Sequence, residues 1–309
     1  MTHDAQRDAK QAVVADALAR IGGLPDAEVR LGASVDPVGY RTTVRVAAAP
    51  DGRAGFRAEH AHEVIAAPDC LVAHPLLRRA IAALELAPDV EPTLRCSVAT
   101  GELGARWEGA GELVRGLPDG ALVGPREALH ESVAGTMLRV STGSFFQSGP
   151  QAAELLVDTV RKAAPELSAA AVVVDAYAGI GLFAALAVPV DAHVIAVETS
   201  KSAVADARSN LRGRDVDIVR GEVGGWHVPA DRAVDVVIAD PARSGLGGPG
   251  VTALERTGAG VLVLVSCDPA SLGRDAKLLG RVGYRLEWSE LVDTFPQTTH
   301  VEAVSRFTR

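Results

Sequence analysis

One cysteine of this chain lies where a cysteine can act as a nucleophile. Cys267 follows the apolar run 260–264 and precedes Pro269, which ends the predicted strand. Ser271 is a suitable N-cap for a helix over 272–282, so the thiol would lie near a helix N-terminus. That position lowers the pKa of a thiol and favours the reactive thiolate. The pattern predicts covalent catalysis through Cys267, although an isolated cysteine is more often a small buried packing residue.

Two carboxylates at the ends of predicted strands are candidates for acid–base chemistry. Asp240 closes the apolar run 234–240 and precedes a proline, which is also typical of a turn or a helix cap. Glu302 lies two residues after His300 in a terminal strand. The two-residue period of a strand points both of these side chains the same way. Glu302 is thus a candidate general base, with a solvated strand carboxylate as the alternative, and His300 is a candidate to position it.

A turn rich in glycine is the candidate cofactor site. The apolar run 172–174 ends at Asp175, and Gly179 and Gly181 follow before a predicted helix. Glycines there permit a ligand to approach the backbone closely. Glu198 ends the next strand, where a carboxylate commonly pairs with ribose hydroxyls, so the pattern favours a cofactor that contains adenosine. The spacing differs from the dinucleotide fingerprint GxGxxG, and a tight turn without a ligand is the alternative.

The periodicity of the sequence divides the chain near residue 140. A helix is predicted over 5–21. Residues 29–140 then form short alternating runs, typical of an antiparallel sheet, with one helix over 75–86. Continuous apolar strands alternate with helices in the remainder, which indicates a parallel sheet covered on both faces. Two domains are therefore predicted, over 1–140 and 141–309.

Composition limits the class of protein. The chain has 309 residues, of which 48% are hydrophobic and 23% charged, as in soluble globular proteins. No apolar run approaches the ~20 residues that span a bilayer, and the N-terminus is charged, so a cytoplasmic protein without membrane contact is predicted. Cys70, Cys96 and Cys267 are widely separated, which argues against a disulfide framework, a metal site or an iron–sulfur cluster. A net charge of −8 disfavours a nucleic-acid partner, although a local arginine groove is compatible with it.

Several segments together resemble one enzyme family. SFFQSGPQAAELL, DAYAGIGLF, DPARSGL, VSCDPASLGRD and FPQTTHVEAV occur in this order. They are similar to motifs of the S-adenosylmethionine-dependent RNA 5-methyluridine methyltransferases, the uracil-C5 methylases of tRNA and 23S rRNA. The segment from Tyr40 to Pro75 resembles the central domain of that family, so the similarity covers nearly the whole chain.

The resemblance implies a fold and a reaction. The fold would be a Rossmann-like, seven-stranded class I methyltransferase domain of the α/β class, preceded by a smaller α+β antiparallel central domain that contacts RNA. The reaction would transfer a methyl group from S-adenosylmethionine to C5 of a uridine in structured RNA, either rRNA or tRNA. A monomer is expected.

The resemblance also implies roles for single residues. Cys267 matches the nucleophile that adds to C6 of the base, and Glu302 matches the general base that removes the C5 proton. The residues matching cofactor-binding positions are Gln147, Tyr177, Glu198 and Asp240, and Gly179 joins them through the glycine turn.

The sequence departs from the family pattern at several places. Asp268 replaces a usual Asn and adds a negative charge beside the thiol, Ala178 replaces a common Cys, and Val223 replaces an Asp or Asn expected near the adenine. The N-terminal TRAM domain and the cluster cysteines of many members are not found, which indicates either a truncated chain or a different mode of RNA recognition.

Three alternative functions stay open. The chain could methylate another RNA base or a small molecule, or it could be an RNA-binding protein with little activity. Asp240-Pro241 has no second motif cysteine nearby, which favours uracil over the cytosine enzymes with two cysteines. The particular uridine is not specified by any of these motifs.

Overall fold

The computed structural model describes residues 1–58, 63–229 and 232–309. Its internal contacts divide the chain into two compact units. The larger unit comprises Met1–Val35 and Ala152–Arg309, and the smaller one comprises Asp36–Gln151. This partition differs from the predicted division at residue 140, because the first 35 residues group with the C-terminal part of the chain.

Helices and strands alternate regularly only in the C-terminal part. Along the described residues, the α-helices are α1 (His3–Arg20), α2 (Pro75–Ala83), α3 (Pro150–Ala163), α4 (Leu182–Leu186), α5 (Lys201–Asn210), α6 (Gly247–Glu255) and α7 (Pro269–Arg281). The strands up to residue 141 are β1 (Val29–Ser34), β2 (Thr43–Arg45), β3 (Ala47–Ala48), β4 (Ala54–Arg57), β5 (Val64–Ala66), β6 (Glu85–Leu86), β7 (Thr93–Cys96), β8 (Leu103–Arg106), β9 (Val114–Arg115), β10 (Leu122–Val123), β11 (Ala128–Val133) and β12 (Thr136–Ser141). The later strands are β13 (Val172–Ala176), β14 (His193–Glu198), β15 (Val216–Arg220), β16 (Val236–Ala239), β17 (Val261–Ser266), β18 (Arg285–Asp293) and β19 (Ala303–Thr308).

The described strands of the larger unit form one sheet in the order β1-β18-β19-β17-β16-β13-β14-β15. β13 to β17 run parallel, and β19 runs antiparallel to both of its neighbours, β17 and β18. Seven of these strands have the arrangement of a class I methyltransferase, which confirms the predicted fold class. The strand order reverses between β13 and β16, and the crevice outside the carboxyl ends of such strands is where open α/β sheets bind ligands.

The eighth strand corrects one prediction. Residues from Val29 onward were expected in the antiparallel sheet of the first domain, but β1 pairs in parallel with β18 at the edge of the large sheet. α1 packs against α7 and β1. The N-terminal 35 residues therefore belong to the larger unit, because β1 forms backbone hydrogen bonds with β18 and α1 packs against α7 and β1.

Continuous apolar sequence explains the buried strands of the larger unit. Every residue of β16 and of β17 is buried, as expected for central strands with helices on both faces. The core contains the fully buried Leu262, Leu264 and Phe307. Among the described helices, none is long and apolar enough to cross a membrane.

The smaller unit is built mainly from short antiparallel pairs, as predicted. β2, β7 and β8 form an antiparallel run that β10 extends in parallel, while β11 and β12 form a hairpin. α2 packs against β7 and β4 with Leu77 and Ile81 buried. Part of the predicted segment AGFRAEHAHEVIAAPDC, residues 59–62, lies outside the described residues.

Candidate active site

The antiparallel register of β17 and β19 brings the two predicted catalytic residues together. Ser266 is the partner of Ala303 at the last pair of this ladder. Cys267 directly follows Ser266 at the end of β17, and Glu302 directly precedes Ala303 at the start of β19. The main chain of Glu302 is also held by β18, because its carbonyl accepts a hydrogen bond from Val292 N at 2.8 Å. Sheet register thus sets a thiol and a carboxylate side by side.

Glu302 is a carboxyl group in a buried position. Only 4% of the residue is exposed. Burial raises its pKa well above the usual value, and the neighbouring charge of Asp240 raises it further. A carboxyl with a raised pKa binds a proton more tightly, so Glu302 is a stronger proton acceptor than an exposed glutamate once it is ionised.

Cys267 is half-buried, and the pKa of its thiol is raised where the sequence predicted that it would be lowered. Burial raises its pKa to about 11, the charges of Glu302 and Asp240 act in the same direction, and Arg243 acts against them. The expected lowering by the N-terminus of α7 is therefore outweighed in the structure without ligands. Desolvation and two carboxylates favour the neutral thiol more than one helix end favours the thiolate.

The residue that caps α7 also differs from the prediction. Asp268, not Ser271, is the N-cap, and its Oδ1 accepts a hydrogen bond from Ser271 N at 2.7 Å. Pro269 occupies the first turn. The helix consequently begins three residues earlier than the predicted residue 272, directly after the thiol.

Asp240 is the charged group common to the whole site. It follows β16, and its backbone N–H donates to the carbonyl of Ala176 at the end of β13. Its charge raises the pKa values of Asp175, Cys267 and Glu302. The carboxyl ends of β13, β16 and β17 therefore place Asp175, Asp240 and the thiol around one rim of the sheet, and the amino end of the antiparallel β19 adds Glu302.

The glycine turn connects β13 with α4 and is held by Glu198. Gly179 adopts φ +55° and Gly181 φ +83°, both in the left-handed region. Gly179 N donates to Glu198 Oε2 at 2.9 Å, and Ser200 N donates to Glu198 Oε1 at 2.7 Å. No heavy atom of the described chain lies within 4 Å of the place where a Cβ on Gly179 would stand. The turn therefore presents its backbone to open space at the switch point of the sheet.

Tyr177 has an unusual backbone conformation in the same turn. It is one of the non-glycine residues with positive φ, at +62°, a conformation that is sterically costly and typical of functional sites. Its half-buried ring packs against the core, and burial raises the pKa of its hydroxyl to about 12. The hydroxyl lies against Gly250, where an added Cβ would stand 2.8 Å from it. The ring therefore supports the turn from the side of α6.

Gln147 and His300 complete the set of predicted residues. Gln147 is buried in the smaller unit, after β12, so its grouping with the others stays a prediction. His300 corrects one expectation, because β19 begins only at Ala303 and the strand alternation does not extend to residue 300. Its exposed ring packs edge-on against Phe295 with centroids 5.8 Å apart, while Glu302 is buried.

Two residues of the rim were not predicted as site residues. Asp175 is fully buried at the end of β13, and desolvation raises its pKa to about 7. Its Oδ2 accepts from Ala184 N at 2.9 Å, whereas Oδ1 has no hydrogen-bond partner among the described residues. An aspartate inside an apolar strand was the available signal. Arg243, in the exposed loop after Asp240, acts on the thiol through charge and had no distinguishing pattern. Among the described residues, no cluster of three or more His, Cys, Asp or Glu side chains could hold a metal ion.

Sequence comparisons relate the chain to RNA methyltransferases. No protein-family model matches the chain. An uncharacterized RNA methyltransferase of Streptomyces coelicolor is 34% identical over an alignment that covers 97% of this chain and 73% of the relative. The 23S rRNA (uracil(1939)-C(5))-methyltransferase RlmD of Pseudomonas putida is 29% identical, over 99% of this chain and 76% of that protein.

The fold and the rim define a class I methyltransferase. A crystal structure of the Pyrococcus abyssi tRNA (uracil-54, C5)-methyltransferase in complex with S-adenosyl-L-homocysteine superposes with a TM-score of 0.77. That likeness covers 100% of this chain and 84% of that one at 24% identity, so it speaks for the fold. Because the Streptomyces relative is 34% identical over 97% of this chain and 73% of its own length, this chain belongs to the RNA methyltransferase family.

Proposed function

We propose that this chain methylates C5 of a uridine in structured RNA, with S-adenosylmethionine as the methyl donor. The observation that carries the proposal is the register of β17 and β19, which brings a thiol and a buried carboxylate together at the rim of a methyltransferase sheet. Similarity to an enzyme named for uracil-C5 methylation of 23S rRNA supports the same base and position.

The chain's own residues fit the methyl donor. The open space above Gly179 would accept a ligand against the backbone, and the carboxylate of Glu198 would accept hydrogen bonds from ribose hydroxyls. Asp240, with the unpartnered oxygen of Asp175 beneath it, gives the rim a negative charge suited to a cationic ligand. Tyr177 holds the turn, and the resemblance to the methyltransferase family makes Gln147 a further candidate for binding the cofactor. S-adenosylmethionine supplies, when bound, the sulfonium methyl group that an activated C5 accepts.

Cys267 activates the base. C5 of uracil is too weak a carbon nucleophile to attack a sulfonium methyl group directly. Addition of the Cys267 thiolate forms an Sγ–C6 bond, and the electrons of the C5=C6 bond move towards C5 and the oxygen on C4. C5 thereby becomes nucleophilic. Because the thiol has a pKa of about 11, its proton must first pass to solvent water, and the cationic Arg243 side chain favours the thiolate that remains.

Glu302 completes the reaction. After methylation C5 carries both a methyl group and a proton, and the carboxylate of Glu302 takes that proton. The electron pair left behind restores the C5=C6 bond and expels the Cys267 thiolate from C6. The protonated Glu302 then returns its proton to solvent. Its buried position and raised pKa suit this exchange, since a carboxylate of ordinary pKa is a poorer base.

The smaller unit is the part to which we assign RNA contact. It contains a cavity of about 370 Å³ whose lining includes Arg45, Arg106 and Trp107, side chains that pair with phosphates or stack on bases. The lining also includes Asp89, Glu91 and Glu108, and Arg45 is paired with Glu91 at 2.6 Å. The cavity is therefore suited to a base edge more than to a row of phosphates.

A trapping experiment tests the function. Fluorine at C5 cannot be removed as a proton, so 5-fluorouridine-substituted total RNA with S-adenosylmethionine should yield an RNA–protein band on a denaturing gel. The band should be lost in Cys267→Ala and kept in the matched control Cys70→Ala, which changes the other half-exposed free cysteine. Sequencing the trapped RNA would identify the uridine. A wild-type protein that binds S-adenosylmethionine but forms no Cys267-dependent band would rule out the uracil-C5 mechanism.

A further inference from the structure

The N-terminal helix contacts the segment that leads to Glu302. This return segment, residues 294–302, connects the end of β18 to the start of β19. Its two ends are fixed by the sheet, through Asp293 in β18 and the carbonyl of Glu302. The residues between them lie outside the described strands of the large sheet. The position of the carboxylate therefore depends on what else holds the return segment.

Lys10 of α1 makes a buried contact at the start of the segment. Its Nζ donates to Asp293 Oδ1 at 2.7 Å and to the carbonyl of Phe295 at 2.9 Å. Lys10 is 6% exposed and Asp293 1% exposed, so this is a buried ion pair with little screening by solvent. His3 lies on the other side of the same carboxylate, with Nε2 3.4 Å from Asp293 Oδ2. Two successive turns of α1 thus fix the point where the return segment leaves β18.

Gln6 makes a second contact at the middle of the segment. Its Nε2 donates to Gln297 Oε1 at 3.0 Å, and its Oε1 accepts from Gln297 N at 3.1 Å. Gln297 has φ +64°, a conformation that a non-glycine residue keeps only when its surroundings impose it. The two hydrogen bonds between Gln6 and Gln297, one donated by each residue, stabilise it here. Beyond Gln297, Thr298 Oγ1 donates to the carbonyl of Phe295 at 2.7 Å, which links the two contact points.

We propose that α1 is a positioning element for Glu302, acting through Gln6 and Lys10 on the return segment. This inference rests on the proposed function of Glu302 as the base that removes the C5 proton. The proposal gives a part in the reaction to α1, a helix that precedes all strands of the large sheet in sequence. A purely structural helix would affect stability, whereas a positioning helix affects one chemical step.

Gln6→Ala separates these two roles. Lys10→Met would leave the Asp293 carboxylate buried without its partner and could prevent folding, so Gln6 is the better site. Gln11→Ala is the matched control, because Gln11 is also a half-buried glutamine of α1 but donates to the carbonyl of Val29 in β1 at 2.7 Å. Both variants lose side-chain hydrogen bonds of the same helix, and only Gln6→Ala releases the return segment.

Three measurements on the full chain decide the inference. With 5-fluorouridine-substituted total RNA, both variants should form the covalent adduct at the wild-type rate, since proton removal is not needed. With unmodified total RNA under single-turnover conditions, Gln6→Ala should release the methylated adduct about fivefold more slowly, as expected for loss of hydrogen bonds that orient a base. Gln11→Ala should release it at the wild-type rate. Amide hydrogen exchange within 294–302 should be faster in Gln6→Ala only.

The other outcomes are equally distinct. Equal release rates and equal exchange in the two variants would overturn the positioning role and leave the proposed function intact. Slower adduct formation in both variants would mean that α1 merely stabilises the fold. If the wild type forms no Cys267-dependent adduct, the proposed function fails, and the inference fails with it.

Discussion

Gly179 and Glu198 are joined by a hydrogen bond of 2.9 Å, from the backbone N–H of the glycine turn to Oε2 at the end of the neighbouring strand. Glu198 Oε1 also accepts a hydrogen bond from Ser200 N. The carboxylate was predicted only as a partner for ribose, but it also fixes the turn over which a ligand would lie. Oε1 also accepts a hydrogen bond from Thr199 Oγ1 at 3.3 Å, whereas Oε2 has a further lone pair beyond the one that Gly179 N uses, so both tasks are compatible.

Substitution of Gly179 by alanine should weaken cofactor binding. An alanine there is strained at φ +55° and fills open space with a methyl group where the ligand would approach. We expect the Kd for S-adenosylhomocysteine, measured by isothermal titration calorimetry, to rise by at least about tenfold, a cost of about 1.4 kcal/mol. Gly213→Ala is the control, because Gly213 has φ +84° and equally open surroundings. Equal loss of affinity in both variants would count against a site at the turn.

The reactivity of Cys267 should depend steeply on pH. With a pKa of about 11, raised by burial and then by Glu302 and Asp240, the thiolate fraction grows about tenfold for each pH unit between 7 and 10. Alkylation of the ligand-free protein by iodoacetamide, followed by mass spectrometry of the Cys267 peptide, should show this slope. Asp240→Asn should speed the reaction at pH 8, because it removes a negative charge, and Arg243→Ala should slow it. A rate that levels off below pH 9 would contradict this account.

Much of the fold could be predicted because its central strands are continuous apolar runs. Val261–Ser266 and Val172–Ala176 were recognised as strands within one or two residues. β1 was assigned to the wrong sheet, since Val29–Ser34 alternates like any half-exposed edge strand and its partner β18 lies some 250 residues away. Local pattern reports that a segment is a strand but says nothing about a partner so distant in sequence.

The sequence predicted which residues form the candidate site better than it predicted their pKa values. Cys267 and Glu302 were identified from motifs, and the register that brings them together depends on the pairing of β17 with β19. The direction of the thiol pKa was predicted wrongly, because burial and the approach of Asp240 are tertiary effects that the local helix end does not reveal. Asp175 was seen as the end of a strand, and its unpartnered oxygen emerges only once the turn folds over it.

Glu302 should reduce the stability of the fold at neutral and alkaline pH. Its folded pKa lies above the unfolded value near 4.5, so the folded state binds the extra proton and stability falls as pH rises through this window. Glu302→Gln cannot ionise. Its melting temperature should exceed that of the wild type at pH 8, by about 1.5 °C for each kcal/mol at this chain length, and should match it below about pH 4.

Glu166 provides the control of opposite sign. Arg306 hydrogen-bonds its carboxylate at 2.7 Å and lowers its pKa, so it stabilises the fold above the unfolded pKa and loses this effect as pH falls through the folded pKa. Glu166→Gln should therefore melt lower at pH 8, by a small amount because the side chain is well exposed, and like the wild type at low pH. Calorimetry of the three proteins across pH tests both signs. A Glu302→Gln protein less stable at pH 8 would show that the carboxylate is satisfied by its surroundings.

Asp268 should act on the helix and not on the neighbouring thiol. The sequence suggested that Asp268 adds a negative charge beside the thiol. In the structure its side chain accepts a hydrogen bond from Ser271 N at 2.7 Å and serves as the N-cap of α7. Asp268→Ala should cost about 1 kcal/mol in the free energy of unfolding, whereas Asp268→Asn keeps a capping oxygen and should be nearly neutral. Urea denaturation measures both. The alkylation profile of Cys267 should be the same in Asp268→Asn as in the wild type, because Asp268 is not among the charges that act on the thiol. A profile shifted to lower pH in Asp268→Asn would instead make this aspartate a regulator of the nucleophile.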